Sequence, residues 1–317
     1  MLILFGCSRP PVRTRVSVPV DPPLTRLIFG GDVMFSRAVR REMIAANDAE
    51  LPFRKIAPLM AASDIAFVNL ESPFSDTGPY RETGLIFHAA PDAIAGLNLA
   101  RVSIASTANN HARDCGAHGV EFTVGWLRSH GIEPVGSSES ETQTHAGIVL
   151  TRHGVRFGFL GYTFDQNNGN WRDIDKRIAL ADPAAMSHDV VSLKKRADVV
   201  IVSMHHGVEY VRQPSPAQIA FAHAAIDHGA LLVIGHHPHV VEPVEKYKGG
   251  LIFYSLGNLV FDQFQRKETQ HGELVQITLW GRNVLAVHVL PVLITRTGPE
   301  LEVWNAQTAS GFTGSGD

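Results

Sequence analysis

Cysteine is nearly missing from this chain: Cys7 and Cys115 are its only two in 317 residues. That excludes a disulfide framework and a thiolate zinc site, so any metal would have to be held by oxygen and imidazole. A basic excess is missing too. Lys and Arg number 28 against 31 Asp and Glu, for a formal net charge of -3. Nothing in that balance would hold a polyanion by counterion release, so nucleic acid is not an expected partner. Long apolar runs are also lacking, and no stretch approaches the ~20 apolar residues that a bilayer-spanning helix requires.

What is present is ordinary for a folded protein: 44% hydrophobic and 19% charged residues, on a chain long enough for one large α/β domain or two smaller ones. Histidine is abundant at sixteen, a count that decides nothing by itself. The segment Leu4-Phe5-Gly6-Cys7 resembles the end of a bacterial lipoprotein signal, although Met1–Phe5 is too short for an h-region and lacks a basic n-region. Arg9–Pro23 carries five prolines and reads as a tether. The expectation is a tether or truncated lipoprotein signal over residues 1–23, a folded domain over 24–308 and a disordered, Gly-rich tail over 309–317. On this reading the expected location is the extracytoplasmic face of a cell envelope, with Cys7 as the candidate lipid anchor. The alternative is a cytoplasmic protein with a frayed apolar tip.

From Leu24 onward short apolar runs alternate with amphipathic ones. Strands are expected at Leu27–Phe29, Ile65–Val68, Val102–Ala105, Val155–Leu160, Val199–Ser203, Leu231–Ile234 and Leu251–Phe253. Helices are expected at Ser36–Ala46, Phe53–Ala62, Ala93–Leu99, His118–Ser129, Pro183–Lys195 and Pro216–Asp227. Leu274–Trp280 and Val284–Val292, joined by Gly281-Arg282-Asn283, read as a hairpin. The alternation predicts a mainly parallel sheet covered on both faces, with an antiparallel C-terminal part. In such sheets ligands bind beyond the carboxyl ends of the strands.

Six strand ends carry chemistry: Asp32, then Asn69 and Glu71, then Asn110 and His111, then His205 and His206, then His237 and His239, then Asn258. Singly, each has a plain structural reading as a turn, cap or strand-end residue. Together they fall on one predicted rim. Carboxylate, amide oxygen and imidazole suit Zn²⁺, Mn²⁺ or Fe ions, and a set this large favours an open catalytic or two-metal site. Cys115, four residues past His111, is expected to be a buried, inert thiol.

Gly31-Asp32-Val33-Met34, Asn69-Leu70-Glu71, Asn109-Asn110-His111, His205-His206-Gly207-Val208-Glu209-Tyr210, His237-Pro238-His239-Val240 and Tyr254-Ser255-Leu256-Gly257-Asn258 occur in order along Leu27 to Gln263. In this combination the chain resembles the CapA family of poly-γ-glutamate capsule synthesis proteins, within the calcineurin-like metallophosphatase superfamily. The resemblance implies a metallophosphatase-like layered sandwich of mixed β-sheet flanked by helices. It also implies one or two divalent metals (Mn, Zn or Fe) held by Asp32, Glu71, Asn110, His205, His237 and His239, with Glu71 bridging. His111 would be the proton donor and Glu209 a catalytic orienting group, with Asn69, His206 and Asn258 on the substrate side. The superfamily's Asp-x-His here reads Asp32-Val33-Met34, and a thioether is a poor ligand for these metals, which leaves the number of ions open. The implied function is a metal-dependent hydrolase-type site acting on an anionic polymer or a phosphoester, alongside membrane-bound capsule synthesis proteins. The alternative is a non-catalytic, metal-containing assembly partner of the same machinery.

Overall fold

The computed structural model describes residues 23–302, except 79, 81, 82 and 171. The expected tether, the Cys7 anchor and the C-terminal tail lie outside the described residues. The first half runs β1 (Leu24–Val33), α1 (Arg37–Ala46), α2 (Ala57–Ala61), β2 (Ile65–Leu70), α3 (Ile94–Leu99), β3 (Val102–Ser106), α4 (Gly116–Ser129), β4 (Glu133–Val135), α5 (Glu141–Ala146), β5 (Ile148–Arg152) and β6 (Val155–Thr163). The second half runs α6 (Pro183–Leu193), β7 (Val199–His205), α7 (Pro216–His228), β8 (Leu232–His236), β9 (Val244–Tyr247), β10 (Gly250–Phe253), β11 (Asn258–Val260), β12 (His271–Trp280), β13 (Asn283–Thr295) and β14 (Gly298–Leu301).

Local chemistry explains the boundaries. Helix α7 starts with Pro216 in its first turn and a capping box between Ser215 and Gln218, and it stops at Gly229, whose φ is 112°. The helix expected over Phe53–Ala62 is instead a 3₁₀ turn (Leu51–Phe53) followed by the five-residue α2. Pro58 is the reason: it has no N–H to bond four residues back, so the α-helix must restart with proline in its first turn.

Among the described residues, fourteen strands form two sheets rather than one. The first has the order β14-β13-β12-β1-β2-β3-β4, with β11 also paired to β1. Its β1–β4 part is parallel and its β12–β14 part antiparallel. The second has the order β5-β6-β7-β8-β10-β9, parallel in the middle with an antiparallel strand at each edge. The sheets pack face to face. Leu27, Phe29, Phe67 and Ile104 of the first meet Phe157, Phe159, Ile201 and Ile234 of the second, and Phe67 stacks on Phe159 at 6.2 Å. Each such side chain taken from water contributes about 1.5–3 kcal/mol. Residues of opposite parity, Ile28 and Val68 in one sheet and Val200 and Val233 in the other, face outward against helices. Each sheet therefore has helices on one face and its partner sheet on the other. A continuous apolar strand demands cover on both faces but does not say which face meets a helix, so a single sheet was an equally valid expectation from the pattern.

Register places the strand ends together. Asp32 pairs with Asn69 and with Asn258, Asn69 pairs with Ser106, and His205 pairs with His236. Two glycines permit the close approaches behind this rim. A Cβ on Gly31 would sit 1.9 Å from the Gly257 carbonyl oxygen, and one on Gly235 would sit 1.9 Å from that of Tyr254. Among the described residues no helix is long and apolar enough to cross a membrane.

Candidate metal centre

Two overlapping donor sets form at the rim. One ligand atom each from Asp32, Glu71 and His239 lie within 4.8 Å of one another, and so do those of Glu71, His205 and His237. Glu71 belongs to both. Asn110 joins the second set, its Oδ1 2.8 Å from His205 Nε2, which is also 3.4 Å from Glu71 Oε1. In the first set His239 Nδ1 lies 3.3 Å from Asp32 Oδ2. All of these residues are buried. The six residues the sequence assigned to metal thus converge. The oxygen donors come from the first sheet and the imidazoles from the second.

The loop that delivers the imidazoles is held in unusual backbone. His237 has φ 97° and His239 φ 59°. A non-glycine residue there costs on the order of 1–3 kcal/mol, and such strain concentrates at functional sites. The His237 N–H donates to Asp32 Oδ2 at 3.2 Å, tying the loop to the first sheet.

Electrostatics follow from burial. Burial raises the Glu71 carboxyl well above its usual range, with Asp32 nearby adding to the effect and His239 opposing it. Burial also disfavours charge on Asp32, but the imidazoles of His236 and His239 beside it outweigh this and hold it well below the usual carboxylate range. Burial lowers His205, aided by His237, and lowers His237 to about 3. For His239, burial is outweighed by Glu71 and Asp32, which lift it to about 9. The metal-free cluster therefore keeps its charge balance with a proton on His239, while His205 and His237 are neutral and able to act as ligands.

Other sequence-assigned residues have distinct places. Asn69 is fully buried, and its Nδ2 reaches Asp32 Oδ1 at 2.8 Å and His205 Nδ1 at 3.2 Å. Asn258 Oδ1 lies 3.0 Å from His239 Nδ1, and its Nδ2 donates to the Thr269 carbonyl. Both brace candidate ligands through these bonds. His206 is half-buried and packs on Phe164 at 5.5 Å, and Phe164 packs on His237 at 4.7 Å. Glu209 is exposed on the loop after β7, near enough for its charge to raise both Glu71 and His239. His111 is buried, stacked on Phe87 at 3.8 Å, and its Nδ1 is 2.7 Å from Asp114 Oδ2, with Nε2 outside that pair. Met34 turns its sulfur to the Ser36 N–H at 2.9 Å. Cys115 is half-buried and donates to the Phe87 carbonyl at 3.6 Å.

Sequence reasoning missed Asp114, Asn168, Arg37 and His236. Asp114 had a signal, its i,i+3 spacing from His111. Arg37 bonds Asp262 and the Gly84 carbonyl, and its guanidinium lies 4.8 Å from the Phe87 ring centroid and 5.6 Å from that of Phe261. Those rings pack on His111 and His239 respectively. His236 is fully buried, 3.5 Å from Asp32 Oδ1, and neither ring nitrogen has a hydrogen-bond partner among the described residues.

The donor set fits a divalent metal on an observation independent of any likeness. Both Glu71 carboxylate oxygens and His237 Nδ1 are buried without a hydrogen-bond partner among the described residues. Leaving a buried polar group unpaired costs about 1–3 kcal/mol, and more for a charge. Cations of the oxygen- and imidazole-binding class satisfy such groups directly.

Two packed mixed sheets flanked by helices, with a polar cluster at the strand ends, define a metallophosphatase-like fold. A solved putative 5'-nucleotidase from Staphylococcus aureus, in complex with alpha-ketoglutarate, shares it at TM-score 0.52 and 14% identity, covering 86% of this chain and 55% of that one. Within that class the chain belongs to the bacterial capsule synthesis protein family PGA_cap, whose profile matches residues 26–263. It is 32% identical over 275 residues to the PGA biosynthesis protein CapA of Bacillus subtilis, covering 86% of this chain and 72% of that protein. It is also 32% identical over 301 residues to the capsule biosynthesis protein CapA of Bacillus anthracis, covering 91% and 72%.

Proposed function

We propose that this protein is a metal-dependent hydrolase acting on an anionic γ-glutamyl polymer during capsule synthesis. One observation carries the proposal: Glu71 is shared by two donor sets, while neither of its buried oxygens has a hydrogen-bond partner among the described residues. A structural zinc site needs four ligands around one ion, whereas a carboxylate common to two sets is what an open or two-metal catalytic site uses. Asp32, Glu71 and His239 would hold one ion, and Glu71, Asn110, His205 and His237 the other. Such ions supply Lewis-acid polarisation of the scissile group and acidify a water nucleophile. The chain's own groups do the rest. Asp114 fixes the His111 ring through Nδ1, so that Nε2 can pass a proton to the departing amine as water adds to the carbonyl and the amide C–N bond breaks. Arg37, held by Asp262 and two aromatic rings, supplies positive charge for a substrate carboxylate.

The test is a substrate panel with the purified chain in Mn²⁺ or Zn²⁺: γ-linked polyglutamate beside generic phosphoesters. Cleavage of the polymer, reduced about 10²–10⁴-fold by His111→Ala, is the expected result. Cleavage of phosphoesters alone would move the substrate class. No cleavage of either would overturn the hydrolase reading and favour the assembly-partner role.

A further inference from the structure

Asn168 lies on the loop after β6, outside every donor set, yet it touches both halves of the site. Its backbone N–H donates to the Asn110 carbonyl at 3.0 Å. Its side-chain Oδ1 accepts from Asn110 Nδ2 at 2.8 Å. Its own Nδ2 donates to Asp114 Oδ1 at 3.2 Å and lies 3.3 Å from His111 Nδ1. The φ of Asn168 is 49°, a left-handed value that Asn tolerates better than most residues.

We infer that Asn168 is a positioning residue that sets which end of the Asn110 amide faces the metal centre. An amide can present either oxygen or nitrogen, and only the oxygen is a ligand. Asp114 settles the choice. Its carboxylate, when ionised, only accepts, so it draws the NH₂ end of Asn168. Asn168 must then offer its oxygen to Asn110. Asn110 answers with its own NH₂, and its Oδ1 is left pointing at His205 Nε2, 2.8 Å away. The same Asp114 holds His111 through its other oxygen. One carboxylate thereby orients the proton donor directly and a metal ligand through a relay of two amides. Partners of this kind typically change metal affinity 10–100-fold when removed.

This inference rests on the metal-centre reading, and the experiment separates the two. Metal affinity of the full chain is measured by Zn²⁺ and Mn²⁺ titration against a competing chelator, with the visible absorption of the Co²⁺-loaded protein as a second readout. Asn168→Gly keeps the positive φ free of strain but removes the relay. Because Asn168 is solvent-exposed, the fold should survive its loss. The expected result is about tenfold weaker binding of one ion and a changed Co²⁺ spectrum, at near-unchanged thermal stability. Asn168→Asp keeps an acceptor for Asn110 Nδ2 but loses the donor to Asp114 and sets a second carboxylate against it, so it should weaken metal binding as well. Wild-type affinity and spectrum in Asn168→Gly overturn the inference, as does wild-type affinity in Asn168→Asp. Failure of the wild-type chain to take up metal overturns the metal centre itself, and the relay with it.

Discussion

Replacing Glu71 by Gln should have opposite effects on the metal-free and metal-loaded protein. Without metal, burial raises the Glu71 carboxyl well above its usual range, and neither oxygen has a hydrogen-bond partner among the described residues to offset desolvation. Unfolding releases it into water, where it ionises near 4.5. Leaving a buried polar group unpaired costs about 1–3 kcal/mol, which sets the scale of the effect. Attraction to the charged His239 offsets part of this cost. The sign follows from proton counting. The folded state binds the extra proton, so stability is full below pH 4.5 and falls as pH rises toward the elevated folded value. Urea denaturation of chelator-treated wild type and Glu71→Gln should give similar stability at pH 5. At pH 7 the variant should be more stable by on the order of 1 kcal/mol. Added Zn²⁺ or Mn²⁺ should then stabilise the wild type strongly and the variant little, because both donor sets lose their common oxygen ligand. If metal-free Glu71→Gln were the less stable protein at pH 7, the claim that Glu71 is an unsatisfied buried acid would fail.

Further expectations concern the surroundings. Arg37→Gln should weaken polyglutamate binding about tenfold, seen as raised KM with little change in kcat, while metal content stays at the wild-type level; unchanged KM would exclude Arg37 from substrate recognition. Glu242, lifted to about 7 by burial that its bond from Gln218 only partly offsets, should behave like a milder Glu71. Glu242→Gln should stabilise the protein by about 1 kcal/mol at pH 8, after discounting for solvent screening, and leave it unchanged at pH 4.5. A pH-independent difference would contradict this. Gly235→Ala forces a Cβ to within 1.9 Å of the Tyr254 carbonyl oxygen, and calorimetry should show a loss of about 3 kcal/mol or more.

The convergence of the candidate ligands was legible because strand ends are punctuated in the sequence. Asp32, Glu71, Asn110, His205, His237 and His239 each follow an apolar run closely, and fold geometry sends such ends to one rim. Orientation was not legible. Asn69 and Asn258 looked like substrate groups, yet hydrogen bonds to Asp32, His205 and His239 give both a supporting place, and such bonds leave no trace in spacing. Asn168 carries no periodic signal, and Arg37 matters through rings brought from Phe87 and Phe261, far apart in the chain. The short strands β4, β5 and β9 escaped because they are brief and partly exposed, so their apolar pattern is weak. The division into two sheets escaped because buried strands read alike whether covered by a helix or by another sheet.

The segregation of oxygen donors to one sheet and imidazoles to the other has a mechanical consequence. Neither layer alone could bind an ion through both donor types, so an ion seated between them would rivet the two layers of the sandwich at one end. Chelation would then loosen the docking of whole layers rather than a single loop. Amide exchange in the facing strands β2 and β7, whose Phe67 and Ile201 share the inter-sheet core, would report occupancy of a site that lies beyond their ends.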